Sequence, residues 1–400
     1  MNILYVTNKP IFPLIDGGCV AMHQFLKSLL QAGYNVKNIS ISTYKHPFKL
    51  SEYPENLSSI IYPESVFIDT RIKPLEALNY FFKKGSYNVE RFNSKQLTNS
   101  IQKYLQENEV QLVILESIFL GNYIDEVRNN SKAKIILRSH NVEFQIWEKL
   151  ALNQSSWLKK KYIQKLAKDL KRYELNTITK FDGIACISRI DKEVFKSIHP
   201  NNNYVTLPVS LSDIEKISDY SNPNFFHIGS MNWKPNLEAV EILITTIFPK
   251  IREKLPNAKL IIAGSNMPKQ FISNENEGIE VVGFVKSISD FMTENGIMIS
   301  PIKSGSGVRI KLLEAMNLGV PILTTTQGAE GIDTFLDNEY LKSTCWIEDE
   351  SELFIQKAIE LALNQEKREE IGRNAKKLIE TKYQTEQVTK KLIEFIKHIS

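Results

Sequence analysis

The sequence predicts an α/β protein built from two doubly wound parallel sheets. Three observations carry this. The strand candidates are short, continuous apolar runs rather than strict alternations, as expected of strands buried on both faces. Helical patterns lie between them. The alternation restarts near Phe225, after a polar stretch containing Asp219-Tyr220-Ser221-Asn222-Pro223-Asn224. The first series of strands is Ile3–Thr7, Val36–Ser42, Val110–Leu115, Lys134–Arg138, Gly183–Ser188 and Tyr204–Leu207. The second is Phe225–Gly229, Lys259–Gly264, Ile279–Phe284, Ile297–Pro301, Pro321–Thr325 and Ser343–Ile347. Predicted helices are Cys19–Gln31, Ser94–Gln106, Leu237–Glu253, Ile310–Asn317, Glu352–Leu363 and Glu366–Thr381. Residues 1–210 therefore read as one domain, 211–224 as a linker with Asn-Pro loop signals, and 225–385 as a second domain. Ligands are expected at the C-terminal strand ends, in a cleft between the two sheets.

At 400 residues, 42% hydrophobic and 24% charged, the chain is long enough for two cores and is not a disordered tail. Lys+Arg 50 against Asp+Glu 46 leaves a net charge of only +4, so nucleic acid is not an expected partner. Cys19, Cys186 and Cys345 lie far apart, with no metal spacing and no disulfide framework. No apolar run approaches the ~20 residues needed to span a bilayer. The start, Met1-Asn2-Ile3-Leu4-Tyr5-Val6, does not read as a signal peptide. A cytoplasmic location is expected.

Four segments can carry chemistry. Pro13-Leu14-Ile15-Asp16-Gly17-Gly18-Cys19 follows the first strand and opens an apolar helix. Gly17 and Gly18 permit close backbone approach, and the helix N-terminus suits phosphate; a plain strand-to-helix turn is the ordinary alternative. In Leu137-Arg138-Ser139-His140-Asn141-Val142-Glu143-Phe144, His140 stands at the ligand-facing sheet edge, able to bond a sugar hydroxyl or phosphoryl oxygen. Asn141 is expected to cap the next helix. His23 is read as a packing residue. The most informative segment is Pro301-Ile302-Lys303-Ser304-Gly305-Ser306-Gly307-Val308-Arg309-Ile310-Lys311-Leu312-Leu313-Glu314-Ala315-Met316. Its Gly-Ser loop offers N–H groups to an anion, Arg309 and Lys311 add two positive charges, and Glu314 can accept both hydroxyls of a ribose. It is not a Walker loop. The fourth segment, Phe226-His227-Ile228-Gly229-Ser230-Met231-Asn232-Trp233-Lys234-Pro235-Asn236, repeats the strand, turn and helix pattern. Gly229 and Ser230 are expected to aim N–H groups at the same phosphates. Trp233 reads as a loop anchor, and Lys234 as a further cation beside the phosphates or, more ordinarily, a solvated lysine.

In order and spacing these segments resemble the retaining glycosyltransferases of family 4, with the GT-B fold of two Rossmann-like domains facing across a cleft. The resemblance covers nearly the whole chain. It runs from Gly17-Gly18 through Ser139-His140-Asn141-Val142-Glu143, Ile187-Ser188, His227-Ile228-Gly229-Ser230 and Ile262-Ala263-Gly264-Ser265. It is strongest at the Gly-Ser-Gly-x-Arg-x-Lys-x-x-Glu-Ala motif of residues 305–315, followed by Gly319-Val320-Pro321 and Gly328-Ala329-Glu330-Gly331. It implies a nucleotide-sugar donor, a UDP- or GDP-sugar, on the second domain and a glycan or lipid-linked acceptor on the first. No cofactor and no metal are implied, and no Asp-x-Asp motif is present. Arg309 and Lys311 would neutralise the diphosphate, Glu314 would bind the ribose, and Gly17 and Gly18 would approach the phosphates. Gly305, Ser306, Gly307 and Val308 would line the donor, Phe284 and Val285 the nucleobase, and His140 would lie near the transferring sugar. The final helix, from about Glu386 to residue 400, would pack back on the first domain. Many members carry a glutamate where this chain has Ser306, so donor-sugar identity is left open. Family association points to cell-surface polysaccharide or lipopolysaccharide assembly.

Two other readings use the same residues. A nucleotide-sugar epimerase would need more acid/base groups than His140, and a phosphorylase a longer chain. A degenerate, non-catalytic nucleotide-sugar binding subunit is supported by Ser306 and opposed by the combination of Arg309, Lys311, Glu314 and His140. Separately, residues 157–173, WLKKKYIQKLAKDLKRY, place Leu158, Tyr162, Leu166, Leu170 and Tyr173 on one helical face among seven basic residues. Such a helix could touch the inner face of the plasma membrane; an ordinary packed helix with a solvated basic face is the alternative.

Overall fold

A computed structural model describes residues 1–73, 80, 85–332 and 344–400. The chain divides into two compact units. Met1–Ser210 with Thr385–Ser400 forms the first, and Leu211–Gln384 the second.

The first unit holds seven strands: β1 (Asn2–Thr7), β2 (Asn35–Ser42), β3 (Glu64–Phe67), β4 (Leu112–Glu116), β5 (Lys134–Ser139), β6 (Gly183–Cys186) and β7 (Tyr204–Thr206). They are ordered β3-β2-β1-β4-β5-β6-β7, and each neighbouring pair is parallel. Alternate residues of β1 enter different cores. Leu4 and Val6 join Val113, Leu115, Ile135 and Leu137, while Ile3 and Tyr5 join Leu112, Ile114 and Ile136. Burial on both faces is why the strands read as unbroken apolar runs. β3 was not predicted. It is an edge strand of four residues in which only Val66 is buried, so it lacks the apolar run that marks the others.

The second core is completed from the far end of the chain. The helix Thr385–Ile399 places Val388, Leu392, Phe395, Ile396 and Ile399 against Ile3, Tyr5 and Leu112. Gly183 is a site of close approach, where an added Cβ would lie 2.6 Å from Phe395 Cζ.

The second unit holds β8 (Phe225–Ile228), β9 (Leu260–Ala263), β10 (Ile279–Gly283), β11 (Ile297–Ser300), β12 (Ile322–Thr324) and β13 (Trp346–Ile347). Their order is β10-β9-β8-β11-β12-β13, again parallel throughout. Phe226, Ile261 and Met298 face one core, and Phe225, Leu260, Ile262, Ile297 and Ile299 the other. Of the predicted strand Ser343–Ile347, Ser343 lies outside the described residues. The predicted helix Leu237–Glu253 begins earlier, at Lys234, with Pro235 in its first turn. It is interrupted by one wide turn, Leu243–Ile247, before Phe248–Lys254, where Pro249 supplies no N–H to a regular helix.

The stretch 211–224, predicted as a linker, is part of the second unit. Leu211 is buried in its core, Leu211 N donates to Tyr383 O, Ser218 N to Leu318 O and Asp219 N to Thr293 O. Its polar composition reflects main-chain pairing at the unit's surface rather than a free connection. Thr385, placed with the second domain by the sequence, belongs to the first unit.

In both sheets the strand order reverses beside the earliest strand, between β1 and β4 and between β8 and β11. At such a point neighbouring loops leave in opposite directions and open a crevice at the strand ends.

One feature of the first unit predicts its pH dependence. The helix Glu143–Leu152 has Val142 at its N-cap, with no side-chain cap, so Asn141 does not cap it. Instead Glu174, on the helix Trp157–Ile178, accepts from Glu143 N at 3.1 Å and Phe144 N at 2.9 Å. Burial pushes the Glu174 carboxyl up to about 8, and the nearby Glu143 adds to the rise; burial pushes Glu143 itself up to about 7. Between the ordinary glutamate value of about 4.3 and these raised values, the folded chain binds more protons than the unfolded one. Stability should therefore fall as pH rises from about 5 to 8. Thermal melting across that range checks it, and Glu143→Gln, which removes one of the two charges, should reduce the slope.

Candidate functional site

Of the residues of the second unit singled out from sequence, Gly229, Ser230 and the segment 305–314 lie at the reversal point of its sheet, and Phe284 and Val285 do not. The loop after β11 runs through Ser304–Arg309 into the helix Ile310–Asn317, and the loop after β8 runs through Gly229–Trp233 into the helix Lys234–Ile242. Gly305 has φ 87° and Gly307 φ 84°, a left-handed conformation at both that suits glycine. These two turns fold the loop so that Arg309 comes back over its own backbone.

Arg309 is buried. Its guanidinium donates to Gly307 O and, at 3.3 Å, to Ser304 O, and lies 4.9 Å from the centre of the Trp233 ring. Its Nε is buried without a partner among the described residues. Lys311 Nζ donates to Asn236 Oδ1 at 2.8 Å, to Ile228 O at 2.9 Å and to His227 Nε2 at 3.2 Å. The last contact needs a bare Nε2. His227 meets it because its Nδ1–H donates to Ile299 O at 2.9 Å, and burial together with the Lys311 charge holds the ring's pKa well below its ordinary value.

Both cations are thus held by neutral acceptors. Among the described residues neither forms an ion pair with a carboxylate. Burial brings the Arg309 pKa down to about 10, partly offset by Glu330. Burial, with Arg309 close by, brings Lys311 down to about 7. Two desolvated like charges close enough to interact are an unfavourable arrangement that a bound anion would relieve. Glu314, one turn further along the helix, has its carboxyl pushed up to about 7 by burial and has no hydrogen-bond partner among the described residues.

Gly229 acts otherwise than expected. Its N–H is already committed to Ala263 O at 3.1 Å, so it cannot serve a phosphate. Its role is clearance: an added Cβ would stand 2.4 Å from Asn236 Nδ2. Asn236 bridges the two loops, donating to Ser230 O at 2.9 Å and accepting from Lys311. Phe284 and Val285 follow β10, two strands from β8. Phe284 is 74% exposed, while Val285 packs on the core. Lys234 points to solvent and pairs with Glu238 at 3.2 Å.

In the first unit, His140 follows β5 and its Nε2 contacts Glu116 Oε1; the Tyr5 hydroxyl donates to the other oxygen of the same carboxylate. Glu116 is buried at the end of β4. Gly17 and Gly18 begin the helix Gly17–Gln31, capped by Asp16, which accepts from Cys19 N at 2.9 Å. Lys9 Nζ binds Asp16 at 2.6 and 2.7 Å. Burial alone would raise the Asp16 carboxyl, but the Lys9 ammonium outweighs it and holds the pKa at about 2. His23 packs edge-on against Phe12. Sequence reasoning missed Lys9, Glu116, His227 and Asn236. Only His227, at a strand end beside Gly229, carried a local signal.

Residues 222–364 match the family model described as glycosyl transferases group 1. Over the full length, the chain is similar to sucrose-phosphate synthase from Thermosynechococcus elongatus, with a TM-score of 0.70 at 10% identity, covering 100% of this chain and 99% of that one. The fold is GT-B. The pneumococcal O-GlcNAc transferase GtfA, crystallised with UDP and GlcNAc, superposes with a TM-score of 0.64 at 14% identity, covering 99% of each chain. An uncharacterized 44.6 kDa protein in the cps region of Klebsiella pneumoniae is 26% identical over 405 residues, 97% of each chain. The segment of the second unit that matches this family model contains Gly229, Arg309, Lys311 and Glu314 alike.

The clearance at Gly229 predicts a local defect. Gly229→Ala should push Asn236 off Lys311, leave a buried ammonium short of an acceptor and destabilise the chain by about 1–3 kcal/mol. Denaturant unfolding measures this; an unchanged midpoint would show that Asn236 can yield without loss.

Proposed function

We propose that this GT-B protein is a retaining glycosyltransferase of family 4, moving a sugar from a nucleotide-diphosphate sugar to a glycan or lipid-linked acceptor in surface polysaccharide assembly. The observation that carries the reading is the buried Arg309–Lys311 pair, which among the described residues makes no ion pair with a carboxylate. The UDP bound by GtfA and the cps-region location of the Klebsiella relative support it.

In this reading the donor diphosphate lies against Arg309 and Lys311, with the N–H groups of the Gly305–Val308 loop beside it. Glu314 accepts the ribose hydroxyls, and Phe284 and Val285 border the base. As the anomeric C–O bond breaks, its electron pair passes to the phosphate oxygen. The two cations stabilise that charge without a metal ion. The acceptor hydroxyl attacks on the same face and its proton passes to the departing phosphate. His140, oriented by Glu116, is assigned to a hydroxyl of the transferring sugar.

Preorganised donors of this kind are worth about 3–4 kcal/mol each in the transition state. Arg309→Ala should therefore lower kcat by about 10²–10³. Thermal stabilisation by UDP, GDP and ADP locates the base first. A selective ligand adds about 2.7 kcal/mol at a hundredfold excess over Kd. The shift should be confined to one nucleotide and lost in Arg309→Ala. No shift with any nucleotide, or full transfer activity in Arg309→Ala, would overturn the reading.

Lys311 supplies a pH dependence. Unliganded, it loses its proton near pH 7; a bound diphosphate favours the charged form. Binding above that pH must take up a proton, so affinity should fall as pH rises, by at most about tenfold per unit. Calorimetry in two buffers of different ionisation enthalpy detects the proton. Lys311→Arg, which stays charged, should abolish the uptake.

A further inference from the structure

The helices Glu143–Leu152 and Trp157–Ile178 form a hairpin on the first unit. The lower part of the longer helix is built in: Leu170 and Ile178 are in the core, Tyr173 packs on it, and Leu166 packs with Tyr87. Most of the apolar face seen in the sequence is therefore spent on internal packing, and the helix cannot lie flat on a surface with that face. The tip is different. Leu150 is 42% exposed, Leu152 68%, Trp157 65% and Leu158 62%, all within the turn and its flanking residues.

The charge around this apolar tip has one sign. From Lys149 to Lys168 the chain has six lysines and no acidic residue, although the whole protein is nearly balanced at +4. Lys159 and Lys161 are exposed beside Trp157 and Leu158, and Lys161 Nζ lies 5.1 Å from the centre of the Trp157 ring.

We propose that this hairpin tip docks on an anionic lipid bilayer, inserting Trp157, Leu158 and Leu152 at the headgroup level while Lys159, Lys160 and Lys161 meet the lipid phosphates. The combination selects the occupant. A polyanion in water would use the lysines but leave the leucines exposed. A second copy paired symmetrically through this tip would bring lysine against lysine. An anionic interface satisfies both, because tryptophan and leucine enter the headgroup boundary and lysines remain at the charged surface. The rigid base of the hairpin spares the tip the ordering cost that a flexible segment would bear on binding.

The test is flotation of the full chain with vesicles of phosphatidylcholine alone and with one-third phosphatidylglycerol. The proposal expects recovery with the anionic vesicles only. Each lysine removed near such a surface lowers partitioning roughly fivefold, so Lys159→Gln/Lys160→Gln/Lys161→Gln should reduce it about a hundredfold. Trp157→Ala/Leu158→Ala should also abolish recovery. All five positions are surface residues, and an unchanged melting temperature verifies folding of each variant. Three results would overturn the proposal: no recovery with anionic vesicles, equal recovery with neutral ones, or recovery that neither variant alters. The readout does not depend on sugar transfer, so it stands or falls separately from the glycosyltransferase reading.

Discussion

Parallel strands cannot be joined by tight hairpins; each return must cross the sheet, and the crossing segment covers one of its faces. Both units of this protein obey that constraint, and most of their architecture follows from it. With both faces covered, side chains along β1 divide between two cores, Leu4 and Val6 on one and Ile3 and Tyr5 on the other. No polar group can be placed mid-strand without a buried partner, so chemistry is confined to strand ends. There the reversal of strand order brings the loops after β8 and β11 together, and with them the whole cation site of the second unit.

The same burial sets the electrostatics. In the second unit it strips solvent from Arg309 and Lys311 and supplies carbonyl and amide oxygens in place of counter-ions. Neutral acceptors hold an ammonium in position without cancelling its charge, which leaves that charge for an incoming anion. In the first unit, burial acts on carboxylates in the opposite sense. Glu174, which replaces a helix cap, and the nearby Glu143 both have their carboxyls raised. Desolvation thus disfavours the charged forms of Arg309, Lys311 and Glu314 in the second unit and of Glu143 and Glu174 in the first, and folding is linked to pH through both.

The hairpin shows how one sequence pattern can serve two ends. The spacing of Leu158, Tyr162, Leu166, Leu170 and Tyr173 is a single helical stripe, yet its lower half is core and its upper end is solvent-facing. The stripe alone does not reveal where the supporting sheet stops. The same limit explains β3, whose edge position needs little hydrophobicity, and the stretch 211–224, whose main chain pairs with segments more than 60 positions away.

By itself the sequence determined the α/β class, the restart at Phe225, nearly every strand and the loop that carries Arg309 and Lys311. These are legible because they depend on local periodicity and on residue types that only a few environments tolerate. Tertiary structure alone decided which groups hold those residues. Asn236 reaches Lys311 because Gly229 has no side chain, His227 accepts from it because Ile299 fixes its tautomer, and Glu116 reaches His140 from the neighbouring strand. Each of these contacts joins segments distant in the chain at a distance set by sheet order, and sheet order is a property of the packed molecule that no local pattern encodes.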